Sequence, residues 1–334
     1  MIRQLVEALP EPALIVAEGK VRLSNAAARA TLGRDIDGED VRLAIRHPAA
    51  VERLLTADAE GPEEAELIGL GEAERRWRMT VAPLGDGDLL VRLIDRSEAH
   101  AAEQMRVDFV ANASHELRTP LATLVGYAET LREQAAELDD GTRERFTAIV
   151  HEEARRMQRL VEDLISLSRI EAERFTVPTD PILLPELVEE AVAGWRGPSD
   201  AERPRIEVES EPDLPATAGD RSELLQLVEN LVSNALRYGR KGAPVRVAMR
   251  RERDMVHLVV TDEGDGIPAE HLPRITERFY RVDPSRSRSL GGTGLGLSIV
   301  KHIVERHRGR LSFESKVGQG TRVHVLLPIA GEAS

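Results

Sequence analysis

The stretch Phe109–Leu121, FVANASHELRTPL, sets one histidine in the middle of an amphipathic helix. A helix turns about 100° per residue. Val110, Ala113, Leu117, Leu121, Leu124, Ala128 and Leu131 therefore gather on one flank. His115 falls nearly opposite the middle of that stripe and is predicted to face solvent, and Thr119, one turn on, shares its face. Pro120 has no N–H for the carbonyl of Glu116 and is expected to bend the helix. A bend beside an exposed imidazole flanked by a carboxylate marks a place where something approaches. Taken alone, a helical histidine is more often a surface or capping residue, and its weight here depends on what the chain carries downstream.

The helical pattern around this stretch runs from Arg96 to about Arg132, and a polar connection follows from Glu133 to Gly141. TRERFTAIVHEEARRMQRLVEDLISLSRIEA then repeats Phe146, Ile149, Val150, Met157, Leu160, Val161, Leu164 and Leu167 at three- and four-residue spacing. Two long amphipathic helices with a short loop make an antiparallel hairpin. One hairpin cannot bury both of its apolar faces, whereas two can in a four-helix bundle, so a homodimer is expected.

The first ninety-five or so residues have a different texture. LPEPALIVAEGKVRLSNAAARATLG predicts a strand over Ala13–Ala17, a turn at Glu18-Gly19, a strand over Lys20–Leu23 and a helix capped near Asn25. RRWRMTVAPL and GDLLVRLID read as a hairpin around Gly85-Asp86-Gly87. His47 reads as a loop residue before Pro48, and Trp77 as a packing residue of a strand. The unit is expected to be a small α+β module.

Of the 334 residues 31% are charged and only 3% aromatic, so the cores rest on Leu, Val, Ile and Ala. A formal charge of −13, without a basic stripe, argues against direct binding to nucleic acid. The lack of cysteine removes disulfides, zinc-thiolate sites and thiol catalysis together, and fits a reducing compartment. No run approaches the ~20 apolar residues that cross a bilayer, and MIRQLVEALPEPALIV is too interrupted for a secretory signal. The expectation is a cytoplasmic protein, or the cytoplasmic part of an inner-membrane sensor.

Pro178, Pro181 and Pro185 mark a linker into the last unit. Helices are predicted over PELVEEAVAGW, RSELLQLVENLVSNALRYG (from near Asp220) and TGLGLSIVKHIVERH, the last stopped by Gly309. Strands are predicted over RIEVES, PVRVAMRRE and MVHLVVTDEG, with Arg253-Asp254 at a turn, and over RLSFESKV and TRVHVLLPI around Gly318-Gln319-Gly320. A sheet covered on one face by helices is the expected layering. Three features of this unit converge. Asn230 and Asn234 share a helix face, and an asparagine carbonyl suits Mg²⁺. DEGDGI puts Asp262 at a strand end, where a carboxylate can accept from an exocyclic amine, before Gly264 and Gly266. GGTGLGLSIV places Gly291, Gly292, Gly294 and Gly296 just before a helix start, an anion site by dipole and free amides. Each is weak alone and the glycine run is not a P-loop, but the ordered set is far rarer than its parts.

In these motifs the chain resembles bacterial two-component sensor histidine kinases, similar to phosphate-regulon-type sensors. FVANASHELRTPL looks like the family's H-box, ENLVSNALRYG its N-box, DEGDGI and GGTGLGLSIV its two glycine boxes and ERFYRVD its F-box. The segment PEPALIVAEGKVRLSNAAA loosely resembles a PAS domain. The resemblance implies a multidomain chain: a PAS-like sensor module over 1–95, a helical hairpin forming a dimeric four-helix bundle over 96–175, and an α/β sandwich ATP-binding domain of the GHKL type over 180–330. It implies that His115 accepts the γ-phosphoryl group of ATP while Glu116 orients or deprotonates its ring. Asn234 would hold Mg²⁺ with support from Asn230, and Arg237 and Tyr238 would lie near the phosphates. Asp262 would recognise the adenine amine and Gly264 and Gly266 would shape the base pocket. Gly292, Thr293, Gly294, Leu295 and Gly296 would form the phosphate cradle, under a lid from Asp283 to Gly292 that carries Arg286 and Arg288. Thr119 matches the family's HExxT signature for dephosphorylating the partner, the receiver domain of a response regulator. Arg237 stands where the family often has Lys, and Glu263 where Asn or Thr is frequent. A nucleotide-binding regulatory protein without phosphotransfer is the rival reading. A chaperone- or topoisomerase-type ATPase would share only the last unit and typically carries Glu where Asn230 stands.

Overall fold

The computed structural model describes residues 2–56, 63–71, 74–85, 87–134, 137–173, 175–195, 206–283 and 291–331. The chain divides into two compact units, residues 1–111 and 112–334.

The first unit begins with α1 (Ile2–Glu7), β1 (Ala13–Ala17), β2 (Lys20–Ser24) and α2 (Ala26–Leu32). Two short helices, α3 (Val41–Ala44) and α4 (Pro48–Thr56), lead to β3 (Glu63–Ile68), β4 (Arg76–Gly85) and β5 (Asp88–Asp95). The strands form one antiparallel sheet in the order β2-β1-β5-β4-β3. β1 is an unbroken apolar run because both of its faces are covered. Leu14 and Val16 point into the larger core with Ile36, Ile45, Met79 and Leu93, while Ala13 and Ile15 pack with Val6 of α1 and Leu23. Asn25 does more than cap α2. Its Oδ1 accepts from Ala28 N at 2.8 Å and Ala13 N at 3.1 Å, and its Nδ2 donates to the carbonyls of Leu9 and Glu11. A fully buried amide with every donor and lone pair used locks the start of the sheet to α2. Trp77 is buried and donates Nε1–H to Leu70 O at 2.9 Å, and His47 precedes α4 and accepts from Ile68 N. β3 has no counterpart in the sequence reading. It is an edge strand with Glu63, Glu64 and Glu66 along it, a composition that disfavours strand on local grounds and blunts an exposed edge.

α5 (Ser97–Glu133) and α6 (Asp140–Ala172) form the predicted hairpin. Tyr127 meets Phe146 edge-on with centroids 4.9 Å apart, and further from the loop Glu116 lies 3.6 Å from Arg156. Pairs that step away from the loop together require antiparallel helices. Asp139 caps α6 by accepting from Thr142 N at 2.8 Å. Helix α5 continues through Pro120, which is its buried residue. His115 and Thr119 are exposed as expected, but so are Val110 and Leu121 of the apolar stripe, Val125 elsewhere on α5, and Val161 and Ile165 of α6.

The rest of the second unit comprises β6 (Asp180–Ile182), α7 (Leu184–Ala193), β7 (Ile206–Ser210), β8 (Thr217–Gly219), α8 (Arg221–Tyr238), β9 (Val245–Glu252) and β10 (Met255–Asp262). It closes with α9 (Gly296–Arg306), β11 (Arg310–Lys316) and β12 (Gly320–Pro328). The sheet runs β11-β12-β10-β9-β7, with β7 and β9 parallel and the other pairs antiparallel. Alternation along the strands puts Val247, Met249, Val256, Leu258, Val325 and Leu327 on the buried face. There they meet Leu227, Leu231, Ile299 and Ile303, the apolar stripes of α8 and α9. Asp220 caps α8 by accepting from Ser222 N and Glu223 N, so the helix starts where the sequence predicts. The two-stranded β6–β8 sheet was not foreseen, since three-residue strands carry no periodic signal.

Candidate active site

A cavity of ≈ 320 Å³ opens where α8, the end of β10, the segment before α9 and one face of α6 come together. It is lined by Asn230, Asn234, Arg237 and Tyr238 from α8, by Asp262 and Gly266 after β10, and by Gly292, Thr293, Gly294 and Gly296 before α9. Residues scattered over the last hundred positions of the chain thus share one wall, as the motif order anticipates. Gly264 and Leu295 lie behind that wall. Gly264 donates its N–H to Asp262 Oδ1 at 2.7 Å, and Leu295 is fully buried with its N–H on Thr293 Oγ1. Arg286 and Arg288 lie outside the described residues.

Backbone contact explains the glycines. A Cβ on Gly264 would come within 2.1 Å of Tyr238 O, so the loop after β10 can only lie against the end of α8 without a side chain. Gly294 adopts φ +76° against Phe279, whose own N–H bonds to Gly294 O at 2.8 Å. These two contacts hold the loops at the mouth while leaving the first amides of α9 to face the cavity, where the helix dipole favours an anion.

Burial raises the Asp262 carboxyl above its ordinary range, while backbone N–H groups of Gly264 and Thr321 oppose the shift. A half-desolvated acceptor of this kind is matched to an amine donor. Asn230 and Asn234 both face Gly296, with Asn230 Oδ1 at 3.2 Å from its ideal Cβ position. Asn230 Nδ2 is buried without a hydrogen-bond partner among the described residues. A buried amide left unsatisfied costs about 1–3 kcal/mol, a cost that a polar group bound in the cavity would relieve. Amide oxygens beside a helix N-terminus also form the hard, sparse donor set that Mg²⁺ accepts alongside phosphate.

The sequence did not reveal that α6 supplies part of this wall. Arg159, Glu162 and Asp163 line the cavity, and Thr293 donates to Asp163 Oδ2 at 2.7 Å. Spacing of three and four residues gives them a common helix face, but nothing local says what that face meets. Nor did it reveal Arg281. Its Nη2 donates to Glu116 Oε2 at 2.8 Å and to the carbonyls of Gly292 and Thr293 at 2.9 and 3.0 Å. Glu116 follows His115, so the exposed histidine stands beside a residue held directly to the cavity rim. Thr119 Oγ1 bonds back to His115 O at 3.4 Å, which keeps its hydroxyl beside that turn.

Residues 105–173 match the His Kinase A (phospho-acceptor) domain family, and residues 219–331 match the Histidine kinase-, DNA gyrase B-, and HSP90-like ATPase family. The Phosphate regulon sensor protein PhoR of Pseudomonas aeruginosa is 35% identical over 325 residues, covering 96% of this chain and 72% of PhoR. The chain belongs to the sensor histidine kinases. The Sensor-like histidine kinase SenX3 of Mycobacterium tuberculosis is 40% identical over 243 residues, which is 72% of this kinase but 58% of SenX3. The solved Acinetobacter baumannii histidine kinase AdeS superposes with a TM-score of 0.51 at 22% identity, over 64% of this chain and 98% of that one, a likeness of fold. By family the protein is an ATP-dependent protein-histidine kinase, and most residues of the cavity wall belong to its GHKL-type ATPase domain. No helix among the described residues is long and apolar enough to cross a membrane.

Proposed function

We propose that this kinase phosphorylates His115 from Mg-ATP and passes the phosphoryl group to an aspartate on the receiver domain of a response regulator. The observation that carries this is the 2.8 Å bond between Arg281, on the cavity rim, and Glu116, next to His115. The imidazole lone pair attacks the γ-phosphorus, the bond to the β,γ-bridging oxygen breaks, and ADP departs with that electron pair. Glu116 takes or orients the ring proton. Asp262 accepts from the adenine amine, and Arg237, Tyr238 and the amides at the start of α9 hold the phosphates. Asn234, supported by Asn230, would hold Mg²⁺, which neutralises charge on the phosphate oxygens. Thr119, whose hydroxyl lies by His115, would position a water that removes the phosphoryl group from the regulator.

Three domains follow in this reading: a PAS-like sensor over 1–95, the hairpin over 96–175 and the ATP-binding domain over 180–330. Val110, Leu121, Val125, Val161 and Ile165, exposed on the hairpin, would be buried in a homodimeric four-helix bundle. Its need for ATP assigns the chemistry to the cytoplasm.

Incubation of the full chain with γ-labelled ATP and Mg²⁺ should give an acid-labile, base-stable phosphoprotein. His115→Gln should abolish the label while still binding ATP, and Thr119→Ala should keep the label but lose regulator dephosphorylation. Labelling that persists without His115 would refute the acceptor assignment. A wild-type protein that binds ATP but never labels would instead be a nucleotide-responsive regulator. Equal loss of labelling in Thr119→Ala and His115→Gln would remove the phosphatase role of Thr119.

A further inference from the structure

Arg281 is an enclosed cation of the cavity rim, its side chain 7% exposed. A buried guanidinium persists only where acceptors surround it. Here they come from two different parts of the fold: the carboxylate of Glu116 on α5, and the carbonyls of Gly292 and Thr293 in the glycine-rich loop. Arg281 Nε is buried with no partner among the described residues, so the side chain is aimed by Nη2 alone. Its main chain is held in place one residue earlier. Tyr280 OH lies 2.6 Å from His271 Nδ1, and the Arg274 guanidinium stacks 4.4 Å over the Tyr280 ring. An anchored backbone and an enclosed side chain make a fixed tether between acceptor helix and phosphate-binding loop. Arg156, 3.6 Å from Glu116, supports the same carboxylate from α6.

We propose that Arg281 is a positioning residue for phosphoryl transfer, docking the acceptor helix through Glu116 onto the glycine-rich loop. This rests on His115 being the acceptor. Arg281 acts on where His115 stands, and not on how tightly the nucleotide is held. Misplacement of a reacting group by about an ångström is enough to slow a positioned reaction by about 100-fold. Lysine keeps the charge but carries it on a flexible stem in place of the rigid planar guanidinium, and so restores only part of the function.

The test compares Arg281→Gln and Arg281→Lys in the full chain. In Arg281→Gln the autophosphorylation kcat should fall about 10- to 100-fold with the KM for ATP changed less than about threefold. Arg281→Lys should recover part of kcat. Adding Arg281→Gln to Glu116→Gln should cost little more than Glu116→Gln alone, because both cut one link. Without nucleotide, amide exchange over residues 112–121 should quicken in Arg281→Gln. A KM that rises in step with the loss of kcat would make Arg281 a nucleotide ligand. Faster labelling would make it a latch, and losses that multiply, or unaltered exchange, would break the link to Glu116. Failure of the wild-type chain to label would count against His115 as acceptor, while the exchange measurement still reports on the tether.

Discussion

Thr293 of the glycine-rich loop donates its hydroxyl to Asp163 of α6 across 2.7 Å. The bond brings a carboxylate to the end of the cavity where an anion would sit. Burial raises the Asp163 carboxyl above its ordinary range, while Thr293 and Arg237 pull the other way. In the proposed reading Asp163 would compete with phosphate for the hydroxyl of Thr293. Asp163→Asn keeps an oxygen for Thr293 and removes the charge. Affinity for a non-hydrolysable ATP analogue, measured by calorimetry, should tighten by about 3- to 10-fold, the scale of one like-charge contact near a surface. Unchanged or weaker binding would show that α6 does not oppose the nucleotide.

Asp262 offers the only carboxylate that this reading assigns to the base. Loss of a charged hydrogen bond costs about 1.5–3 kcal/mol, so Asp262→Ala should weaken ATP binding by about 10- to 100-fold while the fold, monitored by circular dichroism, stays intact. Equal affinity of the variant and the parent would remove Asp262 from the base pocket.

Gly264 and Gly318 separate two ways in which glycine is required. A methyl group at Gly264 meets the Tyr238 carbonyl at 2.1 Å, whereas at Gly318 (φ +79°) it meets nothing within 4 Å. Gly264→Ala should destabilise by about 2 kcal/mol or more through overpacking of backbone on backbone. Gly318→Ala should cost about 1 kcal/mol from backbone strain. Urea midpoints ordered the other way would contradict this placement of the DEGDGI loop.

His307 is buried, donates Nδ1–H to Ile303 O at 2.8 Å and accepts from Asp220 N at 3.0 Å. The bond from Asp220 needs the neutral ring, because Nε2 must accept there, and burial lowers the pKa below the usual 6.5 while the Ile303 carbonyl opposes the shift. The contribution of a depressed histidine is complete above the unfolded pKa and is lost as pH falls through the folded one. His257 and His302 are shifted the same way, also chiefly by burial. The urea midpoint of the second unit should therefore decline as pH falls from about 7 to about 5, and His307→Gln should flatten that decline. A midpoint independent of pH over that window would argue that these rings are already accessible to protons.

Local signals carried much of the result. Period-two and period-3.6 patterns located β1, β2, α5, α6, α8, β10 and the closing hairpin, because each buries one face against the body of the protein and must repeat accordingly. Caps at Asn25 and Asp220 are local hydrogen bonds, so their residue types are visible in the chain. The cavity wall was also legible, since Asn230, Asn234, Asp262 and the glycines before α9 form an ordered motif set that the structure brings to one cavity. Edge strand β3 and the β6–β8 pair were not legible, because charge and shortness erase periodicity and only neighbouring strands select them. Tertiary structure alone decided that Asp163 reaches Thr293 and that Arg281 reaches Glu116. Each pair is more than a hundred residues apart, and nothing in a side chain's own neighbourhood specifies which distant surface it will meet.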